Sequence, residues 1–308
     1  MNAYKAQLTD FPVTVLDSLG KDSFFASGTF ARLWETKGGC PVVYYLQEGN
    51  DIVAYLPGVE FGPWFLRRFM SMPDGCYGGV FCHPDHLAHR AEFTGRLLDK
   101  VLSAKYIRTF IFDFDGDIAQ DKRFNEIPLQ TTLVNISNPD WLPPDKKLQS
   151  QIRKAEREGI VVQGMDWLQH GDGFMKLMEL SEKRHNRKPA YSGSFFQELY
   201  NASVNNPKIH WVWCEYKNQG VCSHIYIIER GVLQGWQIYF DKEFSFLKPN
   251  QYIRYTTCRM MAQRGIKWLN LGGTPETAPG LSYYKKRWGG EVISYRGLVN
   301  KQGLGLLL

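Results

Sequence analysis

The alternation of apolar and polar positions divides the chain into two stretches with a similar rhythm. In the first, Phe24–Glu35 carries helical spacing, and Pro41–Leu46, Asp51–Leu56 and Val59–Phe61 read as strands rich in β-branched and aromatic residues. Leu87, Ala91, Leu97, Leu98, Val101 and Leu102 fall on or near one face, which predicts a helix over Asp85–Ala104. Strands follow at Arg108–Phe114 and Thr131–Ile136. Asn138-Pro139 and Pro143-Pro144 then break the pattern, and the division into two domains is placed there, at 1–143 and 144–308.

The second stretch opens with a basic helix over Lys146–Glu158. Its apolar stripe is Leu148, Ile152 and Ala155, and Gly159 sits where a C-terminal cap belongs. Helices are predicted over Phe174–Arg187, behind Asp172, and over Ser194–Val204. The strands Ile209–Tyr216, Val221–Glu229 and Leu233–Phe240 alternate like a meander, with turns at Lys217–Gly220 and Arg230-Gly231. A helix over Tyr252–Arg264 leads into a strand over Lys267–Leu271. Arg90–Phe114 and Tyr252–Gly273 are corresponding pieces of the two stretches, each a helix feeding a strand. The pattern predicts an α/β (α+β mixed) fold.

Composition adds bounds. The chain has 308 residues, enough for a large core. Its 19 Phe, 16 Tyr and 9 Trp favour sheet. A net charge of +6 permits an anionic partner without requiring one. No apolar run is long enough for a membrane span, and the start MNAYKAQLTDF has no signal pattern, so a cytoplasmic enzyme is expected. The six cysteines show no regular spacing and are expected to be reduced and mostly buried.

The candidate chemistry concentrates in Trp268–Gly290, WLNLGGTPETAPGLSYYKKRWGG. An apolar strand pattern runs into Gly272-Gly273-Thr274, where absent side chains let another molecule approach the backbone. Tyr283-Tyr284-Lys285-Lys286-Arg287-Trp288 follows. Adjacent cations beside such a turn suit an anionic ligand or a developing negative charge. The order strand, Gly-Gly-Thr, Gly-Leu, aromatic-Lys, aromatic-Gly resembles the closing motif of the Fem peptidyltransferases. LQSQIRKAEREGI (148–160) and PLQTTLVNI (128–136) are similar to two earlier segments of that family.

The resemblance implies two tandem acyltransferase domains of the GNAT type, each a mixed, mainly antiparallel sheet flanked by helices. It implies transfer of an acyl or aminoacyl group to an amine, with a cell-envelope (peptidoglycan or polysaccharide) precursor as acceptor. The amine attacks directly and no covalent enzyme intermediate forms. Lys285 takes the family lysine's place and is expected to stabilise the oxyanion. Arg153 and Lys154 match the family's Arg-Lys and would hold phosphates. Gly272, Gly273 and Thr274 would shape the acceptor cleft, with Tyr239, Tyr284 and Arg287 as further substrate contacts. Asp241, at a strand end, is the candidate to orient the amine or take its proton. Tyr283 and His224 are further candidates. No tightly bound cofactor is expected. The donor is aminoacyl-tRNA or acyl-CoA, and a peripheral membrane contact fits the acceptor class. Two departures from the pattern stand out. Asn270 occupies a position that is usually acidic, and FLKPNQY (246–252) has no glycine-rich turn to cradle a pyrophosphate.

Two other functions fit the same residues: a coenzyme A-dependent N-acyltransferase on a small amine, and a non-catalytic RNA- or glycan-binding protein. Further clusters carry less. Lys146, Arg153 and Arg157 form a cationic helix face. Arg184, His185, Arg187 and Lys188 suit a helix C-terminus. IFDFDGD (111–117) resembles an aspartate phosphatase motif through Asp113 and Asp115, but Asp117 stands where Thr or Val is usual. Cys76, Cys82, His83 and His86 fit no standard zinc spacing.

Overall fold

A computed structural model describes residues 1–308 apart from Lys21, Asp74, Gly75, Tyr77, Asp117, Glu276, Leu307, Leu308 and the side chains of Leu304 and Leu306. In chain order the elements are β1 (Asn2–Gln7), α1 (Val13–Leu19), α2 (Gly28–Leu33), β2 (Cys40–Glu48), β3 (Asp51–Phe61), β4 (Arg68–Ser71), β5 (Phe81–Cys82), α3 (Arg90–Ser103) and β6 (Arg108–Asp113). Then come β7 (Asn125–Asn135), α4 (Lys146–Arg157), β8 (Val161–Gly164), α5 (Trp167–Arg184), α6 (Gly193–Val204), β9 (Ile209–Tyr216), β10 (Gln219–Glu229) and β11 (Val232–Phe240). The chain ends with α7 (Pro249–Gln263), β12 (Trp268–Asn270), α8 (Pro279–Arg287) and β13 (Glu291–Lys301).

Two compact units result. The first comprises residues 1–129 with 294–308, and the second residues 130–293. The division therefore differs from the expected 143/144 boundary. β7 supplies the first strand of the second unit before the proline-rich break is reached, and β13 carries the C-terminal residues back to pair with β6.

In the first unit the strand order is β1-β2-β3-β4-β6-β13, with β5 on β3. β4 and β6 run parallel. The core is Tyr44, Leu46, Leu56, Phe69 and Ile111 from the strands against Phe93, Leu97, Leu98 and Val101 of α3. Of the apolar stripe read on Asp85–Ala104, Leu97, Leu98 and Val101 are buried, whereas Leu87 and Ala91 are exposed and Phe93 takes the inner place. The α-helix begins only at Arg90, because Pro84–His89 forms a 3-10 turn. Likewise α2 starts at Gly28, where the Ser27 hydroxyl accepts from Phe30 N at 3.2 Å and fixes the first turn.

In the second unit the order is β7-β12-β11-β10-β9-β8. The meander β9-β10-β11 is antiparallel, as read from the sequence. α4 buries Leu148, Ile152 and Ala155, and burying Leu148 and Ile152 contributes about 1.5–3 kcal/mol each. Gly159 follows α4 with φ 78°, the left-handed value its capping position requires. α5 starts at Trp167 rather than behind Asp172, since Asp166 Oδ1 accepts from Leu168 N at 2.9 Å. Trp288 (0% exposed) packs parallel to Trp141, ring centroids 6.0 Å apart.

Candidate functional site

β11 and β12 pair in parallel only over Val232–Gln234 and Trp268–Asn270. β12 then ends while β11 continues to Phe240. An extra residue, Trp236, interrupts the pairing of β10 with β11 between Tyr226↔Gly235 and Ile225↔Gln237 and bends the strand. Where the two strands part, a cavity of about 330 Å³ opens. Its walls are Ile238 and Phe240 of β11, Leu271 and Gly273 after β12, Asn250, Gln251 and Arg254 of α7, and Leu281, Tyr284 and Lys285 of α8. A second cavity, about 420 Å³, lies among Gln130 and Thr132 of β7, Thr274 and Pro275, and Ser282, Tyr283, Lys285 and Lys286 of α8. Lys285 lines both.

Lys285 is 4% exposed. Its Nζ donates to Gly272 O at 2.7 Å and to Gly273 O at 2.8 Å. The glycine pair thus holds the lysine through backbone carbonyls and leaves one ammonium proton for a ligand. Gly272 has φ 75°, which only glycine adopts cheaply. Burial, and then the Arg254 guanidinium, lower the Lys285 pKa to about 8. Arg254, on the inner face of α7, is itself 4% exposed. Its Nη1 donates to Tyr284 Oη at 2.6 Å, and the guanidinium lies over the Tyr284 and Trp288 rings at 5.4 and 5.2 Å. Thr274 Oγ1 is buried in the wall of the larger cavity with no hydrogen-bond partner. A ligand atom there would satisfy it.

Asn270 has a structural task. Its Oδ1 accepts from Gly272 N at 2.7 Å and from Thr131 Oγ1 at 2.5 Å, which shapes the glycine turn. An amide oxygen serves this as well as a carboxylate does. His224 is fully buried between Tyr226 Oη (2.7 Å) and Asn250 Oδ1 (2.9 Å), and burial pushes its pKa down to about 3. It is a neutral structural histidine.

The structure brings together Lys285, Gly272, Gly273, Thr274 and Tyr284, with Tyr283 at 67% exposure on the rim. It does not bring the other named residues to either cavity. Asp241 Oδ1 accepts from Glu243 N at 2.9 Å and caps a 3-10 turn. Tyr239 is buried against Phe174 and Phe196, its hydroxyl on Gln237 Oε1 at 3.2 Å. Arg287 ties α8 to the start of α4 through Asp145 Oδ1 at 3.1 Å. Arg153 and Lys154 lie on α4 away from both cavities, Arg153 fully on the surface. Arg184 stacks on Phe240 at 4.1 Å and donates to its carbonyl. Sequence reasoning missed Arg254, Asn250, Gln251, Gln130 and Thr132. One signal was available for the first: Ile253, Arg254, Thr257, Cys258 and Met261 form the buried stripe of α7, and an arginine within such a stripe needs a reason.

The remaining motifs resolve as structure. Asp113 is 4% exposed and bonded to Arg296 Nε at 2.7 Å, an internal strut of the first unit. Asp117, the last residue of that motif, lies outside the described residues. Among the described residues no group of three or more His, Cys, Asp or Glu comes together to hold a metal ion.

Gly290 closes the larger cavity. A Cβ there would sit 2.5 Å from Thr132 Cγ2 and 2.8 Å from Lys285 O. Gly290→Ala is therefore expected to cost about 1–3 kcal/mol, read as a fall in Tm. Gly280→Ala, which meets nothing within 4 Å on α8, is expected to leave Tm unchanged or higher.

Residues 145–286 match the acetyltransferase (GNAT) domain family. No curated protein matches the chain by sequence. Solved structures similar in fold include FemX, with a TM-score of 0.71 at 13% identity over 99% of this chain and 98% of that one. L-PGS from Bacillus licheniformis gives 0.63 at 11% identity, over 96% and 94%. A tandem GNAT protein from the clavulanic acid biosynthesis pathway gives 0.53 at 9% identity, over 98% of each chain. The fold is thus the expected tandem of two GNAT-like domains. The domain match carries the activity class, an acyltransferase, in keeping with the Fem-type resemblance of the sequence.

Proposed function

We propose that the chain transfers an acyl or aminoacyl group to an amine on a cell-envelope precursor, with donor and acceptor meeting on either side of Lys285. One observation carries this reading: the buried Lys285 ammonium, held by two glycine carbonyls, lines both cavities. The amine attacks the donor carbonyl and the tetrahedral oxyanion forms. The remaining N–H of the buried Lys285 ammonium stabilises it. The oxyanion collapses, the ester or thioester bond breaks, and the proton shed by the attacking nitrogen passes to the leaving group. Arg254 and Trp288 hold α8 in place during these steps.

The start of α7 favours a donor other than a conventionally cradled coenzyme A. Pro249 has no N–H, and the N–H groups of Gln251 and Tyr252 both bond Lys248 O, at 3.1 and 3.2 Å. Few donors are left to meet a pyrophosphate. The likeness to a putative lysylphosphatidylglycerol synthetase domain (TM-score 0.62, 10% identity) supports an aminoacyl donor. The direct test offers charged tRNA and acetyl-CoA in parallel, with amine-bearing envelope precursors as acceptors, and follows label transfer.

The pH profile follows from the lysine. With a pKa of about 8, Lys285 loses its charge as pH rises through that value. Transfer is expected to fall across the same interval. In Arg254→Met the loss of a neighbouring positive charge raises the lysine pKa, so the fall moves to higher pH. A profile that does not move in this variant contradicts the assignment.

A further inference from the structure

We propose that the edge of the first unit around Trp64 docks on an anionic phospholipid surface, with Trp64 and Phe65 inserting between headgroups. β3 ends at Phe61 and β4 begins at Arg68, paired in register, so Gly62–Arg67 is the turn that projects from this end of the sheet. The turn presents Trp64 at 83% and Phe65 at 55% exposure. Their rings touch edge to face, centroids 5.6 Å apart and planes at 78°. Nothing in the first unit covers them, although burying such side chains is favourable. A bulky aromatic pair at the tip of a turn is the shape that wedges into a membrane interface.

The cations lie behind this tip. Ile107 N bonds Arg67 O at 2.9 Å and Gln302 N bonds Ile107 O at 3.0 Å, so the strand ends Arg68, Arg108 and Lys301 come together at the same edge. Lys105 is exposed in the turn before β6. Lys37, Arg68 and Arg108 line one cleft, so these charges converge. Among the described residues, the carboxylates nearby are Glu35, which is exposed, and Glu60, which is buried and bonded to Lys5 at 2.5 Å with Arg67 at 3.6 Å. The edge is therefore strongly positive with an apolar tip. Cations ranked behind an inserted wedge match lipid phosphates above an acyl layer. The aromatic pair most exposed at this edge stands on the turn, outside the cleft that holds the cations, which favours insertion into a lipid surface over bases stacking within the cleft. No helix of the described residues is long and apolar enough to cross a membrane. The inference stands apart from the identity of the acyl donor and from Lys285.

Flotation with vesicles tests it. The full chain is expected to bind phosphatidylcholine vesicles containing about 30 mol% phosphatidylglycerol about 10²-fold more tightly than pure phosphatidylcholine, since each surface cation multiplies affinity about fivefold. Trp64→Ser/Phe65→Ser is expected to bind at least about tenfold more weakly with an unchanged melting profile, because both side chains are outside the core. Arg68→Ala/Arg108→Ala is expected to lose most of the preference for anionic lipid. Acyl-chain-brominated lipids quench the intrinsic fluorescence, and Trp64→Phe removes that quenching. Equal binding by the wild-type and the wedge variant overturns the proposal. So does capture of the chain by RNA but not by anionic vesicles, which would assign the edge to nucleic acid.

Discussion

Lys285→Met is expected to lower transfer about 10²-fold, the effect of removing one oxyanion donor from a preorganised site. Methionine fills nearly the same volume and carries no charge, so α8 keeps its packing. The Gly272 and Gly273 carbonyls lose their shared partner. That costs stability, but burying the amine has its own cost, visible in the lowering of its pKa to about 8. The two effects oppose each other, and the variant is expected to remain folded. The loss therefore belongs to kcat rather than to the amount of native protein. Rate measurements beside a thermal melt separate the two. An unchanged rate in a folded variant removes Lys285 from the chemistry.

Trp288→Ala is expected to have the largest effect on stability, about 3–5 kcal/mol, the usual range for truncating a fully buried tryptophan. Trp288 is 0% exposed, faces Trp141 at 6.0 Å and Tyr284 at 6.2 Å, and underlies the Arg254 guanidinium at 5.2 Å. Removing it opens a void beneath a buried cation and frees the end of α8. Transfer then falls as well, because Lys285 is carried on that helix. Trp268, which is 37% exposed at the start of β12, gives the control: Trp268→Ala is expected to cost far less. Similar melting temperatures for the two variants would contradict the packing described for α8.

Much of the second unit was legible because its signals are local. The meander strands are rich in β-branched and aromatic residues and are separated by short polar turns, and α4 announces itself with a three-residue apolar stripe and a glycine in the left-handed cap. The short strands β1, β4 and β8 were not legible, since four to six residues of mixed character acquire meaning only from a neighbour. The return of β13 to β6 was equally hidden, and with it the true division of the chain.

Legibility of the site divides along the same line. Lys285 and the glycine pair are close in sequence and share a motif, so the residues themselves drew attention to them. Arg254 is separated from Lys285 by a helix turn, a strand and a loop, and only packing places its charge against the lysine. Asp241, Arg153 and Lys154 are the reverse case and lie away from both cavities. Their residue types suited the chemistry, but Asp241 is spent on a cap and α4 turns Arg153 outward. Spacing identifies a helix face; it does not reveal which partner that face meets.

A parallel donor assay on the wild-type protein and Lys285→Met, using charged tRNA and acetyl-CoA with an amine-bearing envelope precursor, decides whether Lys285 serves the transfer. The account predicts label transfer to the amine from the aminoacyl donor, reduced about 10²-fold by the substitution with binding of both partners retained. Transfer that is equally fast in the folded variant, or a wild-type protein that binds both partners and transfers nothing, would contradict it.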